Sequence, residues 1–173
     1  MDEILFREEQ KPRQWWVQLL VIAYSVFITY EIFKNIVYSI PIFVMGVYVP
    51  PSVAVAVWFL LGVLVPVLYY RSKLLTEVRQ DGLYIRYVPF HNDFALISFE
   101  DIESIEEIEY DPIKDYGGWG IRYGAKGNAL NAYGNKGVLL NYKEKRSMLI
   151  GSQKSKELAD VLNKLYDSIY KVD

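Results

Sequence analysis

The stretch covering residues 53–70 constrains the fold more than any other part of this sequence. It reads VAVAVWFLLGVLVPVLYY and holds no charged or amide side chain over its eighteen residues. As an α-helix it would be about 27 Å long, close to the thickness of the hydrocarbon core of a bilayer. The stretch therefore predicts a membrane-spanning helix, with a buried helix of a soluble protein as the alternative.

The residues on either side of this stretch favour insertion into a membrane. Residues 50–52 (PPS) form a helix start before it, and aromatic and then basic residues follow at positions 69–73, an order typical of a membrane–water interface. Inside the stretch, Pro66 lacks a backbone N–H, and its ring conflicts with the carbonyl of Gly62. The sequence therefore predicts a kink near Pro66.

An earlier apolar segment predicts a helix over residues 15–37, long enough to cross a bilayer with some tilt. Glu31 lies about 24 Å along this helix, near its far end, and we expect Lys34, one turn later, to pair with it. Carboxylates inside a bilayer often mark function, so the alternative is a polar path formed by Glu31, Ser25 and Thr29. Ser25 and Thr29 share one helix face, where hydroxyl groups can join neighbouring helices.

The segments outside these two spans suggest how the chain is oriented. Residues 38–51 are apolar but interrupted by proline and glycine, which predicts an interfacial hairpin or a partner surface. Lysine and arginine lie within residues 7–13 and 71–79, with only Lys34 between these two groups. The bias predicts a multi-pass protein of the cell membrane with both termini cytoplasmic. Residues 1–14 would then be a cytoplasmic arm, either amphipathic at the headgroups or solvated.

After Lys73 the sequence changes to short alternating runs separated by turn residues such as Asp81-Gly82, a pattern typical of antiparallel sheets. The predicted strands cover residues 74–79, 83–88, 94–99, 105–110, 119–123, 129–133, 138–142 and 148–150, and a single helical turn is expected at 100–102.

A final amphipathic helix is predicted near residues 153–170, with Ser152 as its N-cap. Its apolar face consists of Leu158, Val161, Leu162, Leu165 and Ile169. The predicted fold class is therefore α+β. A transmembrane helical hairpin (residues 15–70) precedes an antiparallel sheet or barrel (residues 74–170) that the last helix caps.

Three segments resemble a known family when taken in order. These are residues 117–122 (GGWGIR), 133–140 (YGNKGVLL) and 148–162 (MLIGSQKSKELADVL), which are similar to the end of bacterial pleckstrin-homology-like (PH-like) domains. With residues 6–11 (FREEQK) and the two spans, the chain resembles a family of uncharacterised prokaryotic membrane proteins. The resemblance implies a PH-like cytoplasmic domain and carries no catalytic residues.

The phosphoinositide signature of eukaryotic PH domains does not extend to this chain. That signature needs several basic residues around a long first hairpin loop, whereas residues 80–82 form a short loop with only Arg79 and Arg86 nearby. The basic residues of the soluble part are Lys143, Lys145, Arg146, Lys154 and Lys156. They are candidates for contact with anionic lipid or a partner, with ordinary solvated loop tips as the alternative.

Composition excludes several kinds of chemistry. The chain has no cysteine and one histidine, His91, so disulfides, thiolate metal sites and cysteine nucleophiles are ruled out. We interpret His91 and nearby Asp93 as turn residues, because further ligands or a nucleophile are missing. The acidic residues between 100 and 111 alternate with apolar ones and are interpreted as a solvated edge. A net charge of −2 gives no basic field for nucleic acid.

These observations predict a membrane-anchored interaction module without enzymatic activity, cofactor or metal. Its expected partner, besides the bilayer, is another protein or a second copy of the chain. Two alternatives remain: a small oligomeric transport or channel-like component that uses the polar groups of the first span, and a module that binds anionic lipid through the basic residues.

Overall fold

The computed structural model describes residues 3–100, 102–124 and 126–170. The chain forms two compact units. A helical unit comprises residues 13–71, and a mixed unit joins the residues up to Pro12 with those from Ser72 onward. The mixed unit is thus discontinuous in sequence, whereas residues 74–170 alone were expected to form it.

The helical unit contains two helices long and apolar enough to cross a membrane. The first, α1, covers Trp15–Tyr38 and the second covers Pro51–Arg71. Only 6% of the most apolar window of each helix is buried. A core helix of a soluble domain has its apolar residues covered by protein, which is not the case for these helices.

The second helix changes its hydrogen-bond register around its proline. It consists of α2 (Pro51–Val57), a π-helical segment (Trp58–Leu64) and α3 (Val65–Arg71). At the end of the π-helical segment, the N–H of Val65 donates to the carbonyl of Leu60, five residues back. Proline disturbs the usual pattern because it lacks a donor and crowds the preceding turn. The widened turn ends at Leu64, just before Pro66, and the kink expected near Pro66 stays a prediction.

The connector between the two helices is a short β-hairpin. Strands β2 (Ile42–Val44) and β3 (Val47–Val49) pair in antiparallel fashion. Met45 and Gly46 form the turn, with φ angles of 50° and 81°, as two-residue hairpin turns require. The side chains of Phe43, Val44, Met45, Val47 and Tyr48 are exposed.

The mixed unit contains two sheets. In the first sheet the strands are β1 (Ile4–Gln10), β4 (Lys73–Arg79), β5 (Gly82–Val88) and β6 (Ala95–Ile97). In the second they are β7 (Ile102–Glu109), β8 (Gly120–Gly124), β9 (Gly127–Asn131), β10 (Lys136–Tyr142) and β11 (Met148–Gly151). The first sheet has the order β1-β4-β5-β6, and the second has the order β7-β10-β11-β9-β8.

The sheets correct the predicted topology in two respects. Every predicted strand is present within a few residues, but β9 and β11 pair in parallel, whereas a wholly antiparallel sheet was expected. The described residues of the mixed unit form two open sheets and no closed barrel. Where the turn was expected at 100–102, the Ile102 N–H donates to the Phe99 carbonyl, and Ile102 already belongs to β7. Asp101 lies outside the described residues.

The N-terminal segment is an edge strand and not the predicted amphipathic or solvated arm. Strand β1 pairs antiparallel with β4. Phe6 is buried in the main core, and Glu8 and Gln10 are also buried. The Glu8 carboxylate accepts from the Ser152 hydroxyl at 2.5 Å and from the Gln153 N–H at 2.8 Å. The strand is therefore fixed both by its sheet partner and by the turn before the last helix.

The main core lies between the two sheets and the last helix, α5 (Ser155–Tyr170). Leu158 and Leu162 are fully buried in it, which agrees with the predicted apolar face. Ile169, which was expected on that face, is exposed. The helix begins at Ser155, so Ser152 is not its N-cap, although its hydroxyl accepts from the Lys154 N–H at 3.0 Å.

A short helix, α4 (Pro112–Tyr116), was not predicted. The Asp111 carboxylate caps it by accepting from the N–H groups of Ile113 and Lys114. Tyr116 and Tyr110 pack edge to face at 5.8 Å on the outer face of the second sheet. This helix covers a second, smaller core beside β8 and β9.

Candidate binding site at an open sheet edge

Ser25, Thr29 and Glu31 of α1 have partners inside the helical unit. The hydroxyl of Ser25 donates to the Val21 carbonyl at 2.8 Å, and that of Thr29 donates to the Ser25 carbonyl at 2.7 Å. The Trp58 indole N–H of the second helix donates to Thr29 Oγ1 at 3.1 Å. The hydroxyl face thus contacts the second helix, as predicted.

Glu31 lies on a different side of α1. Its carboxylate pairs with the Lys34 ammonium at 2.8 Å, which confirms the expected partner. Successive residues of a helix are rotated by about 100°, so Glu31 is rotated by roughly 200° from Thr29. Ser25, Thr29 and Glu31 therefore do not line one path along a single helix face.

The predicted basic residues fall into two groups at opposite ends of β11. Lys143, Lys145 and Arg146 belong to the loop before the strand, and Lys154 and Lys156 follow it. Four strand residues span about 13 Å. Lys154 pairs with Glu157 at 3.2 Å at the start of α5. The structure thus does not bring the five cations together.

The first basic group lies near the end of β8. Arg146 Nη1 is 3.5 Å from the carbonyl oxygen of Gly124, the last residue of that strand. Lys126 is also close to this end of β8, and its ammonium lies 2.6 Å from the Asp115 carboxylate. This hydrogen bond holds the pKa of Asp115 below its usual value.

Strands β6 and β8 are each the last strand of their sheet. Among the described strands, β8 pairs only with β9, and β6 pairs only with β5. An edge strand leaves unpaired N–H and C=O groups along one side. Tyr123 of β8 is 81% exposed. The two sheets are therefore not joined by strand pairing at β6 and β8.

A cavity of about 220 Å³ lies between these two edges. Its lining residues are Ile85, His91, Ala95, Ile97, Ile121, Arg122, Tyr123, Asn128, Ala129, Leu130 and Met148. Most of them are apolar. His91 is held in place because its Nδ1 accepts from the Tyr87 N–H at 3.2 Å and its carbonyl accepts from Arg86 Nε, also at 3.2 Å.

The Arg122 side chain points from β8 to the face of the sheet that is opposite the main core. Ile121 packs against the main core, and successive side chains of a strand point to opposite faces. Arg122 pairs across the strands with Ala129, a member of the smaller outer core. A Cβ atom built on Gly118 would lie 3.2 Å from Arg122 Nη2, so the guanidinium lies above this glycine.

The guanidinium of Arg122 has an unsatisfied donor. Its Nε is buried and has no hydrogen-bond partner within the part of the chain that the structure describes. A guanidinium carries five N–H donors and prefers a carboxylate or phosphate bound through two parallel bonds. Because buried polar groups normally have partners, Arg122 is a candidate for binding an anionic ligand.

The start of β8 is held in place by hydrogen bonds to β9 and to the turn that follows β9. The Asn131 side chain accepts from the Gly120 N–H at 2.9 Å and donates to the Tyr110 hydroxyl at 3.0 Å. Burial raises the pKa of Tyr110 to about 12. The Trp119 indole donates to the Gly134 carbonyl at 2.8 Å. These bonds fix the strand while leaving its outer edge open, which suits a preorganised binding site.

The described residues contain no group of three or more His, Asp or Glu side chains suited to a metal ion. His91 is instead a half-buried turn residue that lines the cavity. The acidic residues after Glu100 lie largely on β7, which is itself an edge strand. Sequence reasoning missed Arg122, since the strand order that leaves β8 at an edge is set by distant segments.

The sequence model described as "Family of unknown function (DUF6141)" matches residues 2–168, nearly the whole chain. Comparisons with curated proteins and with solved structures gave no significant match.

Proposed function

This chain belongs to the DUF6141 family, whose function is unknown, and we propose from its own residues that it is a membrane-anchored, PH-like interaction module. In this proposal the two apolar helices hold it in the bilayer. The mixed unit binds an extended segment of a partner protein along β8.

The connectivity of the chain supports two membrane crossings. Strand β1 ends at Gln10, shortly before α1 begins at Trp15, and β4 begins at Lys73, just after α3 ends at Arg71. Because Gln10 pairs with Leu74, the chain leaves the sheet and re-enters it at the same end. If the helices enter a bilayer, two crossings return the chain to the side on which it started, whereas one crossing does not. The bias of basic residues toward the outer ends of the spans favours the cytoplasm for both termini.

The PH-like description is supported by the arrangement of the mixed unit. Two open sheets enclose one core, and a C-terminal amphipathic helix buries Leu158 and Leu162 in it. The segments that carry the sequence resemblance correspond to β8, to β10 with the turn before it, and to β11 with α5. Such a unit is a compact platform with loops and strand edges available for recognition.

The open edge of β8 is the observation that carries the proposed function. An extended peptide can add a strand to such an edge, because the unpaired backbone groups supply hydrogen bonds and the adjacent cavities accept side chains. The edge lies beside a cavity, and Tyr123 is exposed on it. Anchoring in a membrane raises the local concentration of the module, so that even a weak edge contact becomes useful.

The two alternatives have less support. Lipid recognition by the basic residues would use one continuous surface, but those residues lie at opposite ends of β11. A polar path through the first span would use Glu31 together with Thr29, but Glu31 is paired with Lys34 and turned away from Thr29.

Photo-crosslinking in native membranes tests the proposal. A benzophenone amino acid replaces Tyr123 on β8 in the full-length chain, and the matched control replaces Ile4, an exposed apolar residue of edge strand β1. We expect a protein adduct at position 123 and none at position 4. Mass spectrometry should map the crosslink to an extended segment of another protein. Lipid adducts alone, a second copy of the chain, or no adduct would contradict the proposal.

A further inference from the structure

A segment that pairs with β8 would present its side chains to two different environments. A strand added to a sheet lies about 4.8 Å from its neighbour, and its successive side chains point to opposite faces. On the inner face of β8 lies the cavity bounded by Ile97, Ile121 and Met148. By the same alternation the Arg122 side chain points to the outer face, although the residue itself also borders the cavity. Consecutive residues of a bound segment therefore meet an apolar cavity and a guanidinium.

The size of the cavity limits what it can hold. Its volume of about 220 Å³ equals the share of roughly seven water molecules in the liquid. That space suits one or two apolar side chains and is too small for most drug-sized ligands, whose pockets start near 300 Å³. The cavity is therefore suited to side chains of a bound strand.

The outer position favours an acidic residue. The Arg122 side chain is half-buried, and a carboxylate that reaches its guanidinium would form a charge-assisted bond. Arg146 lies at the end of the same strand. Asp115, whose backbone carbonyl lies beside Gly124, has its carboxylate bonded to Lys126. The charges around the β8 edge therefore complement an anionic segment.

We propose that β8 binds an extended protein segment in which an acidic residue directly adjoins an apolar one, with the carboxylate on Arg122 and the apolar side chain in the cavity. This inference rests on the proposed function, because it specifies the partner of the same edge. It gives the partner a recognisable sequence pattern of alternating acidic and apolar residues.

Fluorescence polarisation with the full-length protein in detergent tests the inference. The probe is a dye-labelled peptide with three Glu-Leu repeats flanked by Gly-Ser, and the matched peptide has Gln in place of Glu. We expect the Glu peptide to bind about 10- to 100-fold more tightly, the range for a hydrogen bond to a charged group. In R122Q the two peptides should bind equally, and R122K should retain part of the preference. K164Q on the exposed surface of α5 is the control.

The outcomes separate this inference from the proposed function. Equal binding of both peptides to the native chain, together with an adduct at position 123, would overturn the acidic pattern and leave edge binding intact. Absence of both peptide binding and the adduct would overturn the two together. Binding of hexanoate, measured by calorimetry, without binding of either peptide would assign the site to a free carboxylic acid and refute the inference. Hydrogen exchange of β8 and β9 in R122Q must match that of the native chain. A lost preference for the Glu peptide then cannot be explained by unfolding of this region.

Discussion

Replacing Phe6 by alanine tests whether β1 is part of the folded sheet. Phe6 is 4% exposed and lies in the main core with Leu74 and Val78. Truncating a buried phenylalanine typically costs about 3 to 5 kcal/mol. We expect a value near 3 kcal/mol, because an edge strand can relax toward the cavity left behind. Against a domain stability of about 5 to 15 kcal/mol, this loss is large.

Hydrogen exchange of the full-length protein in detergent measures this effect. The opening free energy of the amides of β4 and β5 should fall by the stated amount in F6A. The control is L5A on the same strand, where the side chain is 41% exposed and the change should stay within about 0.5 kcal/mol. A loss below about 1 kcal/mol in F6A would show that residues 4–10 behave as a solvated tail.

Three further predictions concern the core, stability at alkaline pH and the membrane topology. Leu162→Asp should abolish protection of the mixed unit in the same exchange experiment, because it buries an unpaired charge in a fully enclosed site, whereas Ile169→Asp, at an exposed position, should not. The folded-state pKa of Tyr110, about 12, exceeds its ordinary value of 10. The contribution of its neutral form to the free energy of unfolding should therefore be complete below pH 10. Roughly 2 to 3 kcal/mol of that free energy should be lost as the pH rises to 12. Urea titrations at alkaline pH should show a smaller loss of stability in Y110F. In intact cells, an impermeant thiol reagent should label Met45→Cys at the hairpin tip and not Ser168→Cys; the reverse result would invert the proposed orientation.

The strands with strong apolar alternation could be predicted from the sequence. In β5 and β10, inward positions are occupied by residues such as Ile85, Val138 and Leu140, which the core covers completely. Period-2 burial of large apolar residues is a local signal, and it remains visible whatever the strand pairs with. The same reasoning holds for α5, where Leu158 and Leu162 recur on one face.

Strand β1 was missed because polar residues occupy its inward positions. Its buried residues are Phe6, Glu8 and Gln10, while Ile4 and Leu5 are exposed. Burial alternates along β1 in the structure, but the hydrophobicity of its residues does not alternate in step with it. Glu8 is tolerated there only because Ser152 and Gln153, more than 140 residues away, donate hydrogen bonds to it. No local pattern carries that information.

The candidate site was missed for a related reason. Arg122 lies in a strand that was predicted nearly correctly, but its importance depends on β8 being at an edge. That edge exists because β11 pairs in parallel with β9 and thereby places β9 between itself and β8. The helix α4, in contrast, had local signals in Asp111-Pro112 and in Gly117, whose φ is 73°, a left-handed value that favours glycine.

The pairing of β1 with β4 has a consequence for synthesis of the chain. Gln10 and its partner Leu74 are 64 residues apart, so β1 leaves the ribosome roughly 3 to 13 seconds before its partner at 5 to 20 residues per second. Both apolar helices are made in that interval. If they enter a bilayer, a chain that inserts only one of them leaves β1 and β4 on opposite sides and cannot complete the sheet. Unpaired β4 would then expose an edge that quality-control proteases can attack, so under that condition assembly of this sheet would depend on insertion of both helices.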